Sequence, residues 1–419
     1  MKTTRPFEGE RWLTGTAVMF LASMLTLMRA LLAVKLFFLV LFLFTVAWNV
    51  YRHKMRIPMH ARLGWFYLWI GLVGIAWTFI GVLHPTNSLQ ANLGMFRLYV
   101  LWSGAFFVLY TLLKAGPSLR IFHWAMVLAG ILIPLLNLFA LYDQIAGLGL
   151  LSEAVREELS SEVGIQEGFL RYNAVNLIGM FLIAPYLVSL QFRSKTSKWV
   201  KLALFLSLAF TVLSGRRALW VVVTMTPCLI LLLSWLTGNS VRGKRLLFAW
   251  TGLALIGLST VLLLPESRFE DSGSLNHLKQ AFLDDARIEQ RPYLIEGFLK
   301  SPVFGSGFGA HVSYTRSDET PWAYELTYYQ MLFNLGIVGS GLLLALFAAY
   351  FRLDIKLLRQ FNDGSAIPFA LLIAFCSLLI GAYSNPYLGG FDSLFFVGLL
   401  PFLSTFQHGF AAASRDANT

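Results

Sequence analysis

Apolar stretches of bilayer length follow one another along almost the whole chain, from about residue 12 to about residue 408. Hydrocarbon offers no water to a peptide group. Each stretch must therefore satisfy its own N–H and C=O groups as a helix, or share them around a closed barrel. Barrel strands would show short alternating segments. These runs are continuous, so the pattern predicts an all-α, polytopic fold, a single integral membrane domain over residues 1–419. A large soluble domain is excluded by 57% hydrophobic and only 13% charged residues, with a mean hydropathy of +0.65. About twelve spans are expected, near 12–28, 30–50, 63–83, 93–113, 121–142, 174–191, 200–214, 218–237, 247–264, 322–350, 366–385 and 391–408. The first is followed by many others and lacks a small-residue cleavage site, so it reads as a span and not as a removable signal peptide.

Basic residues give the spans a direction. Lys2, Arg5 and Arg11 precede the first span; Arg52, Lys54, Arg56 and Arg62 fall after the second. Lys114 and Arg120 follow, then Arg193, Lys195, Lys198 and Lys201, then Arg242, Lys244 and Arg245, then Arg352, Lys356 and Arg359, and finally Arg415. With twelve spans all of these lie on one side, which holds 20 of the 33 Lys and Arg residues but only five of the 22 acids. The positive-inside rule makes that side, and both termini, cytoplasmic. The net charge of +11 is thus a topology signal spread over loops, and no nucleic-acid partner is implied. Cys228 and Cys376 fall inside apolar spans with no metal-ligand spacing, so neither a disulfide nor a metal site is expected.

Two long loops lie on the opposite, outer side, at about 143–173 and about 265–321. Loops of this length are usually functional. The first, with Glu153, Glu157, Glu158 and Glu162, reads as an acidic amphipathic helix, and such charge runs are more often a solvated face than a site. The second holds Arg287 and Arg291, four apart and so on one helix face. Pro292 is expected to begin a second short helix, and the apolar residues of 293–300 suit a membrane surface. Gly305-Ser306-Gly307-Phe308-Gly309 follows no strand, so it is no dinucleotide fingerprint; a tight turn is preferred to a close approach to ligand.

Charge at the membrane edge is costly and points to function. Leu213-Ser214-Gly215-Arg216-Arg217 sets adjacent guanidinium groups between two spans on the outer side, either to hold an anion such as phosphate or to snorkel to headgroups. Glu325, in Ala323-Tyr324-Glu325-Leu326-Thr327, sits at the outer mouth of the tenth span, as a general base or as an ion-pair partner of the arginines. His311 is the competing base. Lys35 and Arg97 are the charges inside spans, and both can snorkel. A transporter would call for internal repeats and midplane charge. Here the charge gathers at one face instead, which favours surface chemistry.

Three elements together resemble the O-antigen ligase and polymerase superfamily. The first is Ser214-Gly215-Arg216-Arg217. The second is Arg287, an apolar helix, then Ser301-Pro302-Val303-Phe304-Gly305-Ser306-Gly307-Phe308-Gly309. The third runs from Glu325 to Gly336-Ile337-Val338-Gly339, with Glu325 and Leu326 where that family often has His-Asn. The resemblance covers residues 200–345 by motif and implies a glycosyltransferase-C-like fold in the bacterial inner membrane, with the active site facing the periplasm. It implies an undecaprenyl-diphosphate-linked glycan as donor, a lipid A-core acceptor for a ligase or a second lipid-linked repeat unit for a polymerase, and no cofactor or metal. In that frame Arg216, Arg217, Arg287 and Arg291 would take the diphosphate, apolar clefts the polyprenyl tail, and Glu325 or His311 the acceptor proton.

Overall fold

A computed structural model describes residues 8–84, 87–159, 162–166, 169–239, 241–243, 245, 247–248, 250–252, 285–314, 322–360, 366–383 and 385–406. The helices are α1 (Glu8–Thr26), α2 (Leu32–His53), α3 (Ala61–Leu83), α4 (Leu89–Leu113, with a π-turn at Arg97–Leu101), α5 (Ser118–Ala146) and α6 (Glu153–Leu159). After them come α7 (Val175–Arg193), α8 (Lys198–Leu213), α9 (Arg217–Thr237), α10 (Asp285–Lys300), α11 (Thr327–Gln360), α12 (Ala366–Gly381) and α13 (Phe391–Leu403). Seven of them, α2, α3, α4, α5, α7, α9 and α11, are long and apolar enough to cross a membrane; α12 and α13 are apolar and shorter. The chain is built as a multi-pass helical membrane protein. Helices stand at the predicted positions except the ninth, whose residues 247–264 lie mostly outside the described residues.

Local chemistry fixes the ends. Ser88 and Ser197 cap α4 and α8 by accepting from the backbone N–H of Ala91 and Val200. Gly147 and Gly238 end α5 and α9 in the left-handed region. Packing then sorts the helices. Helix α7 is almost wholly buried and lies against α12, α5, α8 and α9. The outer helices carry exposed Phe37, Phe44 and Phe79, the surface that lipid covers, since acyl chains are as apolar as these side chains.

Contacts between turns divide the bundle into two ends. At one end the turn after α1 meets the loop before α13, through Arg29 and Pro386, and the turn after α3 meets the 306–309 segment, through Asn87 and Ser306. At the other end Arg62 meets Ser404, Asn239 meets Leu358, and Arg359 meets Leu236. The second end carries the basic loops.

Two expectations are corrected. The fold class is helical as expected, but the 143–173 loop is not one acidic helix, because an antiparallel hairpin, β1 (Glu162–Gln166) with β2 (Phe169–Asn173), fills part of it. The acidic helix is correspondingly short, and Glu162 belongs to a strand. Pro292 begins no new helix but sits inside α10. A proline there forfeits one hydrogen bond. Packing on both sides of it holds α10 together, with Gln290 and Leu294 buried and Gly297 against the Phe333 ring. For the same reason α10 lies against α11, with Tyr293 and Leu299 left exposed on its other side.

The segment 302–309 threads into the bundle. Helix α11 is broken at Gly336, with φ 62° and ψ −168°, a region essentially reserved for glycine. The break frees backbone groups, which 302–309 satisfies. Ser306 and Gly307 N–H donate to the carbonyls of Phe333 and Asn334, while Ile337 and Val338 N–H donate to Pro302 and Val303. Phe308 N–H donates to Trp77 O, and the Trp77 indole donates to Phe304 O at 2.7 Å. Gly305 faces Gly336 so closely that a Cβ on either would strike the other's backbone. Irregular backbone is tolerated at membrane depth when protein encloses it. Gly305, Gly307 and Gly309 turn at positive φ, 71°, 77° and 82°, as the turn reading expected, and they also allow close backbone packing that it did not foresee.

Candidate functional site

The site gathers around one tripeptide, Asn385-Pro386-Tyr387, in the loop between α12 and α13. Thr327 Oγ1 donates to Asn385 O at 2.9 Å. The Arg29 guanidinium donates to Pro386 O at 2.5 Å. Arg216 Nη1 donates to the Tyr387 hydroxyl at 3.3 Å. Tyr387 is itself buried and packs on Phe181, with ring centroids 4.9 Å apart. Three distant parts of the chain are thereby brought together at the first end of the bundle.

Arg216 is presented by a tight corner. Gly215 adopts φ 62°, which lets α8 stop and α9 start within three residues. Ser214, fully buried, donates its hydroxyl to Thr211 O and accepts from Arg216 N–H, and the Trp220 indole also reaches Thr211 O at 2.7 Å. Arg216 stands just before the helix and Arg217 is its first residue. The Arg217 side chain lies outside the described residues, as does that of Arg287.

Helix α10 brings the second basic group. Arg287 and Arg291 are both on it, one turn apart. Arg291 is exposed, with its guanidinium over the Tyr329 ring, 5.5 Å from the centroid. Its neighbour Gln290 is buried and accepts the Glu325 backbone N–H at 3.0 Å. Glu325 is therefore held between α10 and the start of α11, at 8% exposure. A short bridge runs from it through Thr327 to Asn385. His311 is exposed, one residue from Val312, whose N–H donates to the Tyr324 hydroxyl at 2.8 Å. Burial raises the Tyr324 phenol above its ordinary range, and the Val312 bond partly lowers it. The Glu325 backbone is thus linked through Thr327 to the loop that Arg216 also reaches, while Arg291 stands on α10 beside Gln290 and His311 is exposed.

Sequence reasoning missed Arg29 and the Asn385-Pro386-Tyr387 loop. Arg29 and Leu31, in the turn between α1 and α2, both adopt positive φ, 60° and 46°. Non-glycine residues there cost roughly 1–2 kcal/mol each. The turn is pinned from two directions. Asp392 Oδ2 accepts the Arg29 backbone N–H at 2.8 Å, and Glu158 Oε2 of α6 accepts that of Leu31 at 2.6 Å. Helix α6 is itself fastened by an Arg156–Asp143 ion pair at 2.7 Å and by buried Leu159. Lys35 does not snorkel but pairs with Asp392 at 2.9 Å, both buried. Arg97 lies against the Trp102 ring, 5.4 Å from its centroid.

Beside the arginines lies a cavity of about 460 Å³ between α3, α4, α11 and α13. Its wall is mainly apolar, with Tyr99, Phe308, Met331, Leu335 and Phe347, and it reaches Thr327 and Pro386 of the site. Asn334 lines it too, and its Oδ1 is buried with no hydrogen-bond partner among the described residues. Among the described residues no cluster of three His, Cys, Asp or Glu has the grouping of a metal site. The arrangement sets the guanidinium groups of Arg29 and Arg216 on one loop, and a mainly apolar cavity reaches the same loop at Pro386. Neither a family model nor a curated protein matches the chain.

Proposed function

We propose that the chain is a glycosyltransferase that moves a glycan from undecaprenyl diphosphate to a sugar of lipid A-core, an O-antigen ligase. The observation that supports this reading is the pair of guanidinium groups, Arg29 and Arg216, on the Pro386–Tyr387 loop, with an apolar cavity reaching that loop and Thr327, two residues from Glu325. A lipid-linked glycan has those two parts, a diphosphate and a polyprenyl chain. In this reading twelve spans cross the bacterial inner membrane, both termini are cytoplasmic, and the arginine end faces the periplasm.

The chemistry needs little more. Diphosphate is a good leaving group once cations take its growing charge. Arg216, Arg217, Arg287 and Arg291 supply planar, permanently charged forks. The acceptor hydroxyl oxygen attacks the anomeric carbon as the carbon–oxygen bond to diphosphate breaks. The bond's electrons leave on the phosphate oxygen. The hydroxyl proton passes to the Glu325 carboxylate, and the anomeric configuration inverts. Glu325 suits this role better than His311, because Gln290 and the start of α11 fix its backbone between α10 and Asn385. The step uses no nucleotide sugar and routes nothing through a metal.

Deleting the gene and separating surface lipopolysaccharide by size tests the reading. Polymer retained on the lipid carrier and missing from lipid A-core is the expected result. A core bearing one repeat unit would make the chain a polymerase. Unchanged lipopolysaccharide would overturn both.

A further inference from the structure

We propose that Arg29 is a further cation on the same anion, presented by a strained turn that Asp392 and Glu158 hold in place. The inference rests on the diphosphate reading above.

The case begins with what Arg29 does not do. A structural arginine normally gives its fork to a carboxylate. The carboxylate beside Arg29 is Asp392, yet Asp392 takes the backbone N–H of Arg29 and gives both its oxygens to Lys35 Nζ, at 3.0 and 2.9 Å. Among the described residues the guanidinium donates to one neutral acceptor, Pro386 O. A guanidinium has five N–H donors. The side chain is exposed, so a ligand can reach it.

Its position adds to this. Arg29 and Arg216 donate to consecutive residues, Pro386 and Tyr387, and Asp392 stands near enough to Arg29 to offset more than the repulsion from Arg216. An anion between the two forks would be attracted by both. Two forks aimed at neighbouring points of one loop match a ligand with two linked phosphates. The loop also makes room for Arg29, since a Cβ on Gly390 would come within 2.8 Å of Arg29 Nε.

The Lys35–Asp392 pair then has a purpose. It is buried and lies inside the bundle, where charge is costly. Its carboxylate accepts the backbone N–H of left-handed Arg29, while both its oxygens also accept from Lys35 Nζ. Asp392 and Lys35 are positioning residues, and neither touches the ligand.

Inorganic pyrophosphate is the probe. Its affinity for the purified full-length protein in lipid nanodiscs is measured by calorimetry, beside the unliganded melting temperature. Arg29→Gln keeps a donor for Pro386 O and removes the charge, so it should weaken pyrophosphate roughly ten-fold or more at unchanged melting temperature. Asp392→Asn should weaken binding while the Arg29 charge remains. Arg52→Ala, at the other end of the bundle, should bind as wild type does. If wild type binds and Arg216→Ala weakens it while Arg29→Gln does not, Arg29 is a structural residue and the diphosphate reading survives. If wild type does not bind pyrophosphate, the diphosphate reading fails and this inference with it. Should Arg29→Gln not fold, Arg29→Lys is measured in its place; wild-type affinity in that variant overturns the proposal, and a partial loss supports it.

Discussion

At the scale of single residues, the proposed function gives the arginines and Glu325 separate tasks. If Arg216 holds the diphosphate as proposed, replacing it with alanine removes a charge-assisted hydrogen bond to the donor, a loss on the order of 1.5–3 kcal/mol. Glycan transfer by purified protein should then fall about ten- to hundred-fold. Lysine at 216 should restore only part of it, for want of the fork. Wild-type rate in well-expressed Arg216→Ala would remove this residue from the site. Glu325→Gln keeps size and loses basicity, so turnover should drop about 10²–10⁴-fold while donor binding persists. Retained activity in that variant, with activity lost in His311→Ala, would move the base to the rim. Arg216 and Glu325 stand out in the sequence because each lies at the end of an apolar run, where charge is conspicuous. It hid Arg29, a lone basic residue in a helix turn, which looks like any topology charge. Its partner Pro386 lies 357 positions away, and no local pattern reports that pairing.

At the scale of elements, hydropathy was enough to place the helices, because the bilayer imposes length and apolarity on each one. It was not enough for the 143–173 loop, where water relaxes both rules and a hairpin forms beside a short helix. It also missed the unbroken α10, whose continuity past Pro292 depends on α11. The break in α11 is the element most open to test. Gly336→Ala forces a Cβ into backbone of the 303–305 segment and into a φ/ψ region foreign to alanine. The strain is of order 1–3 kcal/mol. The variant should melt at lower temperature in detergent, and Gly341→Ala, with open space around it, should not. Equal melting of the two would mean that 302–309 is not clasped to α11.

At the scale of the molecule, the basic loops and the arginine cluster should prove to be on opposite sides of the membrane. In a chain with Cys228 and Cys376 replaced, a cysteine at Ser274 should react with an impermeant thiol reagent applied from the periplasm, and one at Ser194 should not. The reverse labelling would invert the topology. The clasp around Gly336 has one more consequence, for the order in which the molecule is made. Trp77 donates to Phe304, 227 positions later, and Asn87 reaches Ser306, 219 positions later. Contacts of such separation form slowly and after local ones. A nascent chain can insert its first helices pairwise as the ribosome delivers them, but the two walls joined by the clasp meet only after residue 309 has emerged and α11 has entered the membrane. Until then the helix α3 end that receives 302–309 is an open notch, and a stalled chain would present that notch to quality-control proteases.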